Sequence, residues 1–221
     1  MPRKDRVQEL LDPSSEALLA EHERLSDLYL HNAEVGEKRM SLYLTTLSAS
    51  AAILVGFAQF GAGVASLLWP SVALMAVMLI LGLFTFHRLV ERRIRAAELL
   101  RAINRIHAYF VRHDPSLESY FYWPPCDDGP SFKGGGTALA GLRDMVALLD
   151  SLFVGILAGA SAAGLWPALL YWAAALVGAA TTVTAWLLHQ LWERRSLSRA
   201  ESSAARYVRF PKGWCEKPPQ D

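Results

Sequence analysis

Apolar residues run in two long blocks along this chain, and charged residues are confined to the segments outside them. No Asp, Glu, Lys or Arg occurs from Met40 to Phe86 or from Ser151 to Trp192. A helix needs about 20 apolar residues to cross a bilayer, so each block is long enough for two crossings and too long for one. Both carry turn signals near the middle: Gly61-Ala62-Gly63 and then Leu68-Trp69-Pro70 in the first, Gly164-Leu165-Trp166-Pro167 in the second. Proline suits the first turn of a helix and tryptophan the membrane–water interface. Trp69, Pro70, Trp166 and Pro167 are therefore read as the tops of two hairpins. The pattern predicts crossings over 41–61, 66–87, 146–164 and 168–190, in an all-α integral membrane fold of four helices with a cytoplasmic antiparallel helical stalk.

The flanking segments show helical periodicity as well. Over 14–40, Leu11, Leu18, Leu25 and Asn32 share a heptad position and Leu28 and Val35 another, the narrow stripe of a coiled-coil seam. Asp12 and Pro13 supply a start, and no proline interrupts the chain from Ser14 to Trp69. Over 87–112, Val90, Ile94, Ala97, Leu100, Ile103, Ile106, His107 and Phe110 recur every three or four residues, with arginines on the other faces, until Asp114-Pro115 ends the run. Residues 1–39 hold six bases and nine acids, whereas 88–112 hold seven bases and two acids. These charges suit antiparallel pairing, and the stalk is expected from it. The alternative is two amphipathic helices lying on anionic lipid.

The expected organisation is thus 1–40, an acidic amphipathic helix; 41–87, the first hairpin; 88–136, a basic helix and a Pro/Gly/aromatic linker; 137–192, a lead-in helix and the second hairpin; and 193–221, a basic tail. Thr137 is a plausible cap for the lead-in. The fourth helix should continue over 193–209, and 212–221 should be disordered. Tyr120, Phe121, Tyr122 and Trp123 are expected to pack on the base of the stalk or to dip into the interface.

Charge orients the chain. All 43 charged side chains lie in 1–39, 88–150 and 193–221. The second crossing exits through His87, with Arg88, Arg92 and Arg93 following it, and the fourth through His189, with Arg194 and Arg195 after it; both exits read H-x-L-x-E-R-R, a weak internal repeat. By the positive-inside rule these segments face the cytoplasm of a bacterial inner membrane, close to anionic head groups. Cys126 and Cys215 should then be reduced thiols. Bulk charge, +1 over the chain, gives no reason to expect a nucleic-acid partner.

Chemistry-bearing patterns are sparse. No H-E-x-x-H, G-x-S-x-G or phosphate-loop motif occurs, and neither cofactor nor metal is expected. Asp144, Asp150, His87 and His189 fall near crossing ends and are read as interfacial, with an Asp150–His189 pair as a structural option. Small residues at spacing four are more informative: Ser48, Ala52 and Gly56; Ser151, Gly155, Gly159 and Ala163; Ala174, Gly178 and Thr182. Such faces let membrane helices approach closely. The bulkier second crossing is expected to face lipid. The sequence thus suggests a non-catalytic membrane scaffold, homo-oligomeric, whose arms meet a soluble partner. The alternative is an oligomeric pore or membrane-perturbing effector, with Thr45, Thr46, Thr181, Thr182, Thr184 and Gln59 lining a path.

Overall fold

The computed structural model describes residues 13–59, 64–133, 141–165 and 171–215. Four long helices dominate it: α1 (Pro13–Gln59), α2 (Val64–His113), α3 (Leu142–Leu165) and α4 (Tyr171–Ala204), followed by a short α5 (Lys212–Cys215). Each of α1 to α4 is long and apolar enough to cross a membrane. Among the described residues there is no strand. At 1.5 Å per residue, the 47 residues of α1 and 50 of α2 reach far beyond a hydrocarbon core, so each predicted crossing and its arm form one continuous helix.

α1 starts at Pro13, whose missing N–H is harmless in a first turn, and Glu16 adds a charge favoured at that end. α2 ends before Asp114, which caps a 3-10 helix over Pro115–Tyr120 by accepting the Ser116 N–H at 3.0 Å. The Ser116 hydroxyl and N–H hold that carboxyl below its ordinary pKa. Pro70 corrects one expectation. α2 begins at Val64, so Trp69 and Pro70 lie inside the helix rather than in a turn. Proline there removes a single backbone bond, to the carbonyl one turn earlier, and the long apolar run tolerates that loss. Trp166 and Pro167, like Asp12, Gly61–Gly63, Gly134–Gly136 and Thr137, lie outside the described residues.

The chain divides into two compact units, the first from 1–34, 93–134 and 199–221, the second from 35–92 and 135–198. In the first, α1 and α2 pack through Leu25, Ile103 and Ile106, with Leu18, Leu99, Ala102 and Phe110 around them. His22 and His107 meet at 3.0 Å between their Nε2 atoms. In the second unit Gly36 of α1 lies against Arg92 of α2 and Ser50 against Met78, so the two helices run antiparallel there. The α1 face differs from the expected seam. Leu28 is exposed, and His22 takes the place next to Leu18 and Leu25, because a near-straight helix repeats every 3.6 residues rather than 3.5.

The other side of α2 is covered too, which the arginines had obscured. Asn104 Nδ2 donates to the carbonyls of Cys126 and Gly129 at 3.0 and 3.1 Å. Buried Arg101 donates to the Pro130 carbonyl at 3.1 Å and to Glu201 at 2.6 Å, with its guanidinium 4.4 Å from the Phe132 ring centroid. Phe132 is wholly buried. Burial pushes the Glu201 carboxyl up, but Arg101 with the Phe132 N–H and the Ser131 hydroxyl outweighs it and holds the pKa below its ordinary value.

The C-terminal segment also departs from expectation. α4 ends at Ala204, a 3-10 turn spans Ala205–Tyr207, and α5 follows where disorder was expected. Asp127, 1% exposed, accepts the Phe210 N–H at 2.8 Å and the Arg209 N–H at 2.9 Å, and pairs with Arg105 at 2.9 Å. Asp128 accepts the Lys212 N–H at 2.8 Å. Cys126 is disulfide-bonded rather than a reduced thiol, and Cys215 is the other cysteine of the sequence.

Candidate functional site

Within the second unit all four long helices contribute to one buried polar cluster. Its centre is Asp150 on α3, fully buried. A side chain that long fits because α2 presents Gly82 at the contact: a Cβ on Gly82 would overlap the Asp150 carboxyl. α1 contributes Tyr43, itself buried, whose hydroxyl donates to Asp150 Oδ1 at 3.2 Å. α4 contributes His189, with Nε2 4.0 Å from Asp150 Oδ2. The imidazole is oriented from two sides. Nδ1 lies 2.8 Å from the Ala185 carbonyl, and the Phe86 ring of α2 meets it edge-on at 4.9 Å between centroids. Asp150 Oδ2, His189 Nε2 and Trp186 Nε1 are buried without a hydrogen-bond partner.

Toward the polar ends of α3 and α4 lies a second layer. Arg143 pairs with Asp144 at 2.8 Å and with Glu193, and Gln190 Nε2 donates to Asp144 Oδ1 at 3.4 Å. Asp144 and Glu193 are both buried. Arg143 is thus shared between two buried carboxylates, so each has a cationic partner.

Asp144, Asp150 and His189 all face the packed interior of this unit, and the Asp150–His189 approach expected as a structural option is present. Charge-free runs do not report which way a residue at the end of a run points, and Asp150 and His189 point inward. The one sequence signal was Gly82, an isolated glycine among bulky residues of the second crossing. α2 accordingly does not only present an outer face; Met78, Gly82 and Phe86 are buried, while Val77, Ile80, Leu83 and Phe84 are exposed.

Small-residue faces divide in the same way. Gly155, Gly159, Ala174, Gly178 and Thr182 are brought together between α3 and α4. A Cβ on Gly178 would lie 2.9 Å from the Gly155 carbonyl oxygen, and one on Gly159 3.1 Å from that of Ala174. Ser151 is buried beside them and donates to the Ala147 carbonyl at 2.6 Å; Ala163 is half-buried. On α1 the sequence-chosen face is largely open among the described residues. Ser48 and Ala52 are exposed and nothing lies within 4 Å of a Cβ on Gly56. Met40, Tyr43 and Ser50 turn inward instead, Ser50 donating to the Met78 sulfur at 3.8 Å.

The basic residues remain peripheral. His87 and Arg88 are exposed and both reach Glu91, at 3.2 and 2.9 Å. Arg194 and Arg195 are exposed. Arg92 is half-buried; desolvation, then repulsion from Arg39, lowers its pKa. Arg93 belongs to the first unit and is half-buried there. Among the described residues no group of His, Cys, Asp and Glu is arranged to hold a metal ion.

No protein-family model matches the chain, and neither a curated protein nor a solved structure matches it.

Proposed function

We propose that this chain is a multi-pass inner-membrane scaffold that assembles through its own copies and presents its charged segments to a protein partner. The observation that carries this reading is a set of exposed aromatics on a pinned loop. Tyr120, Tyr122 and Trp123 are 81, 88 and 69% exposed. Just beside them, Phe121 stacks on His107 at 4.3 Å between ring centroids, and Asn104, Arg105 and Arg101 hold the chain from Cys126 to Pro130. Exposed Tyr and Trp on a preorganised backbone are what protein interfaces use as anchors, since little ordering entropy remains to be lost. The open Ser48–Ala52–Gly56 face supports self-association in lipid, where small residues permit close helix contact. The pore reading has less support: Thr46, Thr181, Thr182 and Thr184 each donate to a carbonyl one turn back on their own helix.

The orientation proposed here is cytoplasmic for both ends, because arginines crowd the crossing exits. The Cys126 disulfide pulls the other way, since disulfides persist in oxidising compartments. The cytoplasmic orientation therefore entails that Cys126 is a reduced thiol in the cell, and an oxidised Cys126 there would count against it.

Photo-crosslinking in cells tests the function. A crosslinker at position 122 is expected to give a discrete protein adduct, with a second copy or another protein, that is lost on Trp123→Ser. Adducts to lipid alone, or none, would overturn it.

A further inference from the structure

We infer that Asp150 and His189 form a proton-binding site inside the four-helix unit, holding one proton between the carboxyl and the imidazole. The hydrogen-bond partners of the two side chains require it, independently of any scaffold role. A backbone carbonyl can only accept, so His189 Nδ1, 2.8 Å from the Ala185 oxygen, carries a hydrogen. Nε2 therefore bears a lone pair when the ring is neutral and a hydrogen only when the ring is imidazolium. That nitrogen faces Asp150 Oδ2 at 4.0 Å. Were Asp150 ionised and His189 neutral, a carboxylate would face a lone pair with no donor for either, both atoms being buried and unpartnered. Burying a carboxylate with the Tyr43 hydroxyl as its one donor is unfavourable. One added proton satisfies both atoms once the 4.0 Å gap closes to hydrogen-bond distance: either a carboxylic acid donates to Nε2, or an imidazolium N–H donates to the carboxylate.

The surroundings offer no substitute. From α1 the titratable group facing Asp150 is Tyr43, whose hydroxyl already donates to Oδ1. From α2 the contacts are Gly82 and Phe86, neither of which titrates; His87, which lines the same cavity as His189, is exposed and engaged by Glu91. Along α3 and α4 the next charged groups, Asp144 and Glu193, are engaged by Arg143. The site is thus one proton wide, with water as the source. Binding that proton should draw α3 and α4 together at this level.

The test uses the full chain in lipid nanodiscs, with isotope-labelled histidine read by NMR and the carboxylic acid band of aspartate read by infrared spectroscopy. At neutral pH the inference expects one of two signatures: an imidazolium signal at His189, or a protonated-carboxyl band lost in Asp150→Asn. Either is expected to disappear as the pH is raised. Tyr43→Phe keeps the site and should shift the signature by removing one hydrogen bond, which preserves the test should Asp150→Asn not fold. A neutral His189 together with an ionised Asp150 at neutral pH would overturn the inference.

Discussion

The Arg101 guanidinium and the Glu201 carboxylate, a hundred residues apart in sequence, meet at 2.6 Å with Arg101 only 6% exposed. Arg101 belongs to a helix face that the sequence presents as solvated, yet it ties α2 to the C-terminal segment. Removing the acid leaves a buried cation with the Pro130 carbonyl and the Phe132 ring alone. Glu201→Ala is expected to lower stability by roughly 2–4 kcal/mol. Replacing both partners with apolar residues should cost much less. Thermal unfolding of the reconstituted chain measures both.

His107 makes the first unit sensitive to acid. Burial, then the neighbouring His22, pushes its pKa down to about 4 from 6.5. The fold therefore favours the neutral ring. The stability it contributes is fully present above pH 6.5 and is lost as the pH falls toward about 4. The effect is on the order of 3 kcal/mol at most. Unfolding midpoints measured across that window should fall with pH in the native chain and stay flatter in His107→Leu. Equal slopes would remove His107 as the cause.

Asp127 is expected to matter more than Cys126 for the C-terminal segment. It accepts two backbone N–H groups and an arginine while fully buried. Asp127→Ala should cost about 3 kcal/mol and expose residues 205–215 to limited proteolysis. Cys126→Ser, which removes the disulfide alone, should leave that segment protected. The reverse ranking would assign the docking to the disulfide.

Two glycines give opposite expectations. A Cβ on Gly155 would run into the Thr182 side chain and the Gly178 carbonyl, whereas one on Gly56 meets nothing within 4 Å. Gly155→Ala should destabilise the chain by about 1–3 kcal/mol through overpacking. Gly56→Leu should leave the unfolding midpoint near its native value and reduce self-association, as read by light scattering in detergent.

Much of this fold was legible in the sequence because its main determinants are one-dimensional. Charge-free runs and the 3.6-residue periodicity place four long helices without reference to tertiary contacts. Leu18, Leu25, Ile103 and Ile106 disclose the faces by which α1 and α2 meet. The candidate site was not legible to the same degree. Asp150 and His189 stand at the edges of apolar runs, where an interfacial and a buried orientation leave the same pattern, and only the packing of Gly82 against the carboxyl decides between them. The docking of residues 205–215 was hidden for another reason: it rests on backbone N–H groups meeting Asp127, and backbone donors carry no sequence signal. Pro70 shows the converse, since a strong local signal was overridden by the helix around it.

In the proposed topology the two charge-free runs cross the membrane four times and every charged segment is cytoplasmic. Substituted-cysteine labelling tests it most directly, with single cysteines at positions 98 and 122 in a Cys126→Ser, Cys215→Ser background and a membrane-impermeant maleimide. Neither position should label in intact cells, and both should label fully after permeabilisation. Labelling of either one from outside intact cells would contradict it.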